Sequence, residues 1–226
     1  MSDRLHRTRL LFGDTGIEKL QKATVMVVGC GAVGSFAIEA LARTGVGNII
    51  IVDSDAIEES NINRQIFATD TTIGKAKVDV ASARIHDINP DTRVTAIKAF
   101  FDDATELNVT PDFVIDAIDT VPSKIALYKW CLARNVPFIS SMGAARKTNP
   151  GYIKIAKISK TTVCPLAAKI RKLVRAENLP DFDVVYSTES ATPTDNARVF
   201  GSIITVTGTF GLMAADYAIW HIINDM

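Results

Sequence analysis

The sequence predicts an α/β protein built on a doubly wound, mostly parallel β-sheet, with a divergent C-terminal third. Short apolar, β-branched runs alternate with segments of helical spacing between residues 23 and 140. A glycine-rich turn of the form G-x-G-x-x-G follows the first apolar run and opens the first helical segment. Strand, helix and strand in repetition give a parallel sheet covered on both faces, because right-handed crossovers carry helices to either side of it.

The first predicted unit is strand, helix, strand. Ala23–Val28 is β-branched and stops at the glycine turn. Val33–Arg43 has helical spacing, and Gly45 marks its end. Asn48–Val52 is the second apolar run, and Asp53 closes it.

The pattern then continues through a second helix and three more strands. Gly74–Ile88 has helical spacing and closes at an Asn-Pro pair, while Arg93–Ile97 alternates like a strand. Phe113–Ile115 is a short apolar strand between two aspartates. Pro122–Arg134 is a helix with proline in its first turn, where the missing N–H costs no hydrogen bond, and Val136–Ser140 is the fifth strand.

The regular alternation of strand and helix patterns ends after residue 140. Tyr152–Ile158 alternates like a strand, and a helix is predicted from Pro165 to about Arg175. Glu177–Arg198 is polar and contains two prolines, so we expect a long connection that covers the site. The apolar stretch Ser202–Ile223 is predicted as a buried or interface helix rather than a membrane span, because charged and polar residues dilute it.

Composition excludes several classes of protein. With 226 residues, 47% hydrophobic and 22% charged, the chain is neither disordered nor fibrous. Lys+Arg and Asp+Glu are equal at 25 each, so any nucleic-acid affinity must come from a local patch. Three cysteines without a CxxC pair exclude a disulfide framework and a four-thiolate zinc site. The N-terminus has no apolar signal-peptide core, so we expect a cytoplasmic protein.

The glycine turn predicts a phosphate-binding site of the Rossmann-like kind. Residues 29–34 read GCGAVG, and they lie between a strand and a helix. Glycines let the backbone approach a phosphate, and the helix N-terminus supplies free N–H donors. Asp53 ends the next strand, where an acid can accept hydrogen bonds from ribose hydroxyls. This much suits NAD as well as ATP.

The cations that follow favour a triphosphate over NAD. Arg64 and Lys77 come shortly after Asp53, and three phosphates need such partners and usually magnesium. Asp119 lies just beyond the fourth strand, at the sheet edge where ligands bind, and is a candidate magnesium ligand. The alternative for Arg64 and Lys77 is a solvated surface charge.

Three segments closely resemble the adenylating enzymes of the ThiF/MoeB/HesA type, which are relatives of the ubiquitin-activating enzymes. These segments read VMVVGCGAVGSFAIEALARTGVGNIIIVDSDAIEESNINRQ, GKAKVDVASARIHDINP and DFVIDAIDT. The resemblance implies ATP and Mg²⁺ as cofactors and transfer of AMP to a carboxylate. It implies that Asp119 holds the metal and that Arg7 reaches the triphosphate of a partner subunit in a homodimer. The positions it assigns to nucleotide contacts are Gly29, Gly31, Ala32, Gly34, Asp53, Asp55, Asn61, Arg64 and Lys77.

Two substrate classes remain open within this family. Sulfur-carrier activators adenylate the C-terminal glycine of a ubiquitin-like protein, and many carry CxxC pairs, which this chain lacks. The segments PLAAKIRKLVR, VVYSTES and GSIITVTGTFG instead resemble the branch that acts on tRNA, the threonylcarbamoyladenosine dehydratases. That branch implies adenylation of a carboxylate on the modified adenosine of the anticodon loop, then ring closure. A nucleotide-sensing scaffold is a third possibility, and a cysteine desulfurase or sulfur-acceptor system is a candidate partner.

A tRNA substrate also predicts a basic surface. Nine basic residues and no acidic ones lie between residues 146 and 175, and the alternative is an ordinary solvated face. The candidate tRNA contacts are Lys169, Arg171, Lys172 and Arg175.

We expect a single domain over 1–226, with a nucleotide-binding core at 1–145 and a substrate and dimer portion at 146–226. Cys164 precedes a predicted helix, where its thiol is either a nucleophile or, as we favour, packed.

Overall fold

The computed structural model describes residues 3–193 and 200–225. Six α-helices and seven β-strands follow one another in these ranges. The helices are α1 (His6–Lys22), α2 (Gly34–Thr44), α3 (Lys77–Ile88), α4 (Val121–Ala133), α5 (Pro165–Ala176) and α6 (Ile204–Asp225). The strands are β1 (Thr24–Val28), β2 (Asn48–Val52), β3 (Arg93–Ile97), β4 (Phe113–Asp116), β5 (Phe138–Ser141), β6 (Ile153–Lys157) and β7 (Asp183–Ser187).

All seven strands form one sheet in the order β3-β2-β1-β4-β5-β7-β6. Every neighbouring pair is parallel except β6 and β7, which form an antiparallel edge. The predicted doubly wound, mostly parallel sheet is therefore confirmed. The strand order reverses between β1 and β4, and the crevice beyond the carboxyl ends of those two strands is where such sheets bind ligands.

The connection predicted over Glu177–Arg198 is wrong in its middle. Asp183–Ser187 forms β7, which lies between β5 and β6 and buries four of its five residues. The apolar run inside this strand is too short to show a period, and the polar residues around it hid the signal. Residues 194–199 of the predicted connection lie outside the described part of the chain.

Two helix starts also differ from the sequence prediction. The sequence pattern predicts no helix before residue 23, yet α1 runs from His6, is interrupted at Gly13 (φ 69°), and buries Ile17 and Leu20. The helix predicted from Gly74 begins instead at Lys77, because Gly74 has a left-handed backbone (φ 82°).

Two apolar layers cover the sheet. The helices α2, α3 and α6 pack on one face, and α4 and α5 pack on the other. The apolar character of the segment near the C-terminus follows from its position in the core, because α6 buries Phe210 and Ile222. This helix lies very close to the start of α2: a β-carbon on Gly211 would be 2.2 Å from the Val33 carbonyl oxygen. Within residues 3–193 and 200–225, none of the helices has both the length and the apolar character that a bilayer crossing needs.

Candidate active site

The glycine turn between β1 and α2 is shaped by two close backbone approaches. Gly29 has φ 97°, and a β-carbon on it would lie 2.7 Å from the carbonyl oxygen of Ala117. A β-carbon on Gly34 would lie 1.7 Å from the carbonyl oxygen of Gly29. These two glycines are therefore required for the turn to form. Gly31 is different, because its β-carbon would meet only the Gln65 side-chain amide, at 3.8 Å, and Gly31 lines the cavity beside the turn.

Asp53 connects this turn to the loop that follows β2. Its Oδ2 accepts a hydrogen bond from the backbone N–H of Cys30 at 2.6 Å, and its Oδ1 accepts one from the N–H of Asp55 at 2.8 Å. Each carboxylate oxygen retains a further lone pair that a ligand hydroxyl could use. Burial raises the pKa of the Cys30 thiol well above its usual value, so this cysteine stays neutral beside Asp53.

Lys77 brings a nearly buried positive charge to the same place. It is the first residue of α3 and is 7% exposed. Its Nζ donates to Asp55 Oδ2 at 2.7 Å, and this hydrogen bond lowers the pKa of the Asp55 carboxyl. An ammonium has three donors, of which this bond uses one, so Lys77 can also donate to a phosphate oxygen. The neighbouring Lys75 is exposed and does not line the cavity.

Arg64 and Asn61 have different surroundings. The Arg64 guanidinium lines the cavity and donates to the Ser60 carbonyl and, at 2.8 Å, to Asn63 Oδ1. Asn61 is buried outside the cavity wall, and its Oδ1 accepts from the Glu58 N–H at 3.2 Å. That bond belongs to the cap of a short 3₁₀ turn, so the structure shows a local role for Asn61, and its phosphate contact stays a prediction.

The loop between β4 and α4 forms the opposite wall. Asp119 is exposed and lines the cavity, as do Thr120 and Ser123 at the start of α4. The Ser123 hydroxyl is buried and has no hydrogen-bond partner within the described ranges. Buried hydroxyls are nearly always paired, so this one is available to a ligand. No sequence motif pointed to Ser123.

Oxygen donors of this kind suit magnesium bound together with phosphates. The described residues contain no cluster of three or more His, Cys, Asp or Glu side chains able to hold a metal alone. Mg²⁺ usually takes one or two carboxylates and completes its shell with water and substrate phosphates. The single carboxylate of Asp119 in a cavity beside the glycine turn fits that second pattern.

One cavity of about 650 Å³ joins these parts. It lies at the switch point between β1 and β4, and its volume is in the range typical of small-molecule sites. It continues past the carboxyl end of β5 to Cys164, which is 3% exposed, as expected of a packed thiol. The predicted site residues that line it are Gly29, Gly31, Ala32, Asp53, Asp55, Arg64, Lys77 and Asp119.

Besides Asn61, three further predicted residues lie elsewhere or are already engaged. Gly34 supports the turn from within α2. Arg7 is exposed on α1 and does not line the cavity of its own chain. Arg171 donates to the carbonyl and hydroxyl oxygens of Thr161 at 2.9 and 2.6 Å.

Some cations of the basic segment are also not free. Lys147 is buried and donates to the Glu189 carbonyl, and Lys157 pairs with Asp183. The exposed cations on α5 are Lys169, Lys172 and Arg175.

The fold and the cavity define a nucleotide-binding protein of the adenylating class, and the chain matches the ThiF family over residues 5–225. The chain belongs to that family.

Several known proteins resemble the chain over different lengths. The tRNA threonylcarbamoyladenosine dehydratase of Bacillus subtilis (strain 168) is 47% identical over 84% of the chain and 76% of that protein. A crystal structure of the Escherichia coli enzyme of the same name, TcdA, in complex with ATP has a TM-score of 0.92 at 36% identity, covering 98% of this chain and 94% of that one. The Escherichia coli (strain K12) molybdopterin-synthase adenylyltransferase is 38% identical but covers only 59% of the chain.

Gly31, which lines the cavity, and Gly34, which packs against the backbone of the turn, should respond differently to an added methyl group. We expect Gly31→Ala to keep its unfolding temperature but to bind ATP about tenfold more weakly, about 1.4 kcal/mol, because the methyl enters the cavity. Gly34→Ala should unfold at a markedly lower temperature, because its β-carbon overlaps the Gly29 carbonyl. Calorimetric titration and thermal unfolding measure both effects. Unchanged ATP affinity in Gly31→Ala would mean that the nucleotide does not approach this turn.

Proposed function

We propose that the chain is an ATP-dependent tRNA threonylcarbamoyladenosine dehydratase. It adenylates the carboxylate of threonylcarbamoyladenosine in tRNA and promotes cyclisation, with release of AMP and pyrophosphate. The observation that carries the proposal is the single cavity in which the glycine turn, Arg64, Lys77 and Asp119 meet at the sheet's switch point. Relatives that bear this enzyme's name cover most of the chain, and one of them has been crystallised with ATP.

The residues that line the cavity suit the activation of a carboxylate, which is otherwise unreactive. A carboxylate is a poor electrophile because oxide is a poor leaving group, and adenylation replaces it with AMP. Arg64 and Lys77 stabilise the negative charge that develops on the phosphates during transfer, in a partly closed cavity where charges interact strongly. Magnesium, held by Asp119, would neutralise phosphate charge when bound.

Ring closure then needs little from the protein. Its nucleophile belongs to the same modified nucleoside and is tethered beside the activated carbonyl. Tethering of this kind gives effective molarities of about 10⁵ M or more, so a protein nucleophile is not required. This agrees with the burial of Cys164, at 3% exposed. The protein's part in this step is to orient the nucleoside and exclude water.

The second candidate is an activator of a ubiquitin-like or sulfur-carrier protein. Its support is the similarity to adenylyltransferases over the nucleotide-binding part of the chain. The absence of any CxxC pair from the sequence weighs against it. A cysteine desulfurase or sulfur-acceptor partner, and the cytoplasmic location, remain predictions from the sequence.

The reaction is tested by incubating the protein with ATP, Mg²⁺ and modified tRNA, digesting the tRNA and measuring the masses of its nucleosides by mass spectrometry. We expect the modified adenosine to lose one water. Lys77→Gln should slow this loss by about 100-fold, because a cation that stabilises the phosphates is gone. Lys75→Gln, an exposed neighbour, should stay within about twofold. Pyrophosphate exchange that instead depends on a diglycine-tailed small protein would favour the second candidate.

We propose that the exposed cations of α5 contact the tRNA backbone. Lys169, Lys172 and Arg175 are exposed on this helix, whose N-terminal residues Pro165 and Leu166 line the cavity. A phosphate strand that crosses α5 would therefore lie next to the nucleotide. Arg171 contributes less to such a surface, because its guanidinium is bonded to Thr161.

Replacing these three cations should change the salt dependence of tRNA binding. We expect the slope of log affinity against log salt to become shallower by about 3 in the variant with Lys169, Lys172 and Arg175 all changed to Gln, because fewer counterions are released. The matched control changes Lys22, Arg93 and Arg134 to Gln; these residues are also exposed but do not line the cavity. Equal slopes in the two triple variants would contradict this surface.

We propose further that the chain works as a homodimer in which Arg7 reaches the partner's cavity. The support is that Arg7 is exposed and misses its own cavity, and that Leu10 and Leu11, which follow it on α1, are 73% and 79% exposed. Trp220 of the adjoining α6 is 48% exposed and contacts Phe12 edge-on. Apolar side chains exposed to this degree on contacting helices are typical of association surfaces.

A mixed dimer tests the role of Arg7. Arg7→Ala and Lys77→Gln should each be slowed by about 100-fold alone, because every cavity lacks one cation. Mixing and re-equilibrating the two should restore up to about a quarter of the wild-type rate, since some mixed dimers carry one intact cavity. Sedimentation gives the oligomeric state alongside the rate. A monomeric wild-type protein, or no recovery from a mixture shown to have exchanged subunits, would contradict the proposal.

A further inference from the structure

A completely buried ion pair lies beneath the cavity and is not used by the proposed chemistry. Lys124 on α4 and Asp116 at the end of β4 are both 0% exposed, and Lys124 Nζ donates to Asp116 Oδ2 at 2.7 Å. The same Nζ donates to the Ser141 carbonyl at 2.7 Å and to Ser140 Oγ at 3.3 Å. Its three donors are therefore all used.

The network around this pair is fully connected. The Ser140 hydroxyl donates to Asp116 Oδ2 at 2.5 Å, and the Tyr128 hydroxyl lies 2.7 Å from Ser140 Oγ. Asp116 Oδ1 accepts the backbone N–H of Ile118 at 3.0 Å. Buried lysines are rare, and well-packed apolar residues can often replace a buried ion pair without loss of stability. Stability alone therefore does not explain why these charges are present.

The bonds of the network end in two loops that face each other across the cavity. The Ile118 N–H belongs to the loop that carries Asp119, and the Ser141 carbonyl begins the loop that continues into Met142 and Gly143. All of these residues line the cavity. Lys124 thus joins the carboxyl end of β4 to that of β5 directly beneath the site.

We propose that Lys124 is a positioning residue. Through Asp116 it fixes the loop of Asp119, and through the Ser141 carbonyl it fixes the opposite wall, so that the Asp119 carboxylate is held where a divalent cation on the nucleotide needs it. This inference rests on the proposed function, because it takes Asp119 as the metal ligand. Lys124 itself is buried and contacts neither metal nor nucleotide.

Metal binding to the nucleotide complex tests this inference without turnover. The protein is saturated with a non-hydrolysable ATP analogue and titrated with Mn²⁺ in place of Mg²⁺, and bound metal is followed by electron paramagnetic resonance. In Asp116→Asn/Lys124→Met, which removes both charges at nearly constant volume, we expect Mn²⁺ affinity to fall about tenfold. Affinity for the analogue without metal should stay within about twofold.

A second ion pair provides the matched control. Lys157 and Asp183 pair at 2.8 Å across β6 and β7, and neither lines the cavity. The variant Lys157→Met/Asp183→Asn should leave Mn²⁺ affinity unchanged, because neither residue contacts a wall of the cavity. Equal Mn²⁺ affinities in wild type and in Asp116→Asn/Lys124→Met would overturn the positioning role. A wild-type complex that binds no Mn²⁺ would instead overturn the metal site of the proposed function.

Lys124→Arg keeps the test decisive if the double variant does not fold. The guanidinium keeps the positive charge but is larger and planar, so it cannot reproduce the three bonds of the ammonium in the same space. We expect weaker Mn²⁺ binding in this variant as well. Wild-type Mn²⁺ affinity in a folded Lys124→Arg protein would contradict the inference.

Discussion

The close contact between the glycine turn and the loop after β4 is the constraint on which the site depends. Only a residue without a β-carbon lets the turn pass against the Ala117 carbonyl, and only a second glycine, at position 34, lets α2 begin directly beside Gly29. This contact brings the start of α2 and the start of α4 to one crevice. A nucleotide bound there would meet both helix N-termini, which favour negative charge.

Polar groups of the site are held in place before any ligand arrives. Lys77 is held by Asp55, and Asp53 is held by backbone N–H groups. A triphosphate would bind to the donors that Lys77 leaves unused, so the internal bond to Asp55 could be kept. Such preorganised charges cost little reorganisation during reaction, which is how electrostatic catalysis gains its effect. Beneath the cavity, the pair of Lys124 and Asp116 holds the loop after β4 and the loop after β5 in fixed positions relative to each other.

The C-terminal third extends the sheet and adds one end of the cavity. The strands β7 and β6 extend the sheet beyond β5, and α5 starts at the far end of the cavity with its basic side chains exposed. On the other face α6 packs against α2 and supports the glycine turn from behind. The glycine turn and the start of α5 thus line one cavity at the edge of a single sheet.

Local patterns in the sequence were sufficient to predict β1 to β5, the glycine turn and the cavity residues Asp53, Arg64, Lys77 and Asp119, because period and motif are properties of neighbouring residues. They could not reveal β7, whose short apolar run becomes a strand only because β5 and β6 offer it hydrogen bonds. Nor could they reveal the capping role of Asn61, or the network that joins Lys124 to Asp116 and Ser141. Those bonds link side chains to partners brought near by packing, so only the tertiary structure decides them.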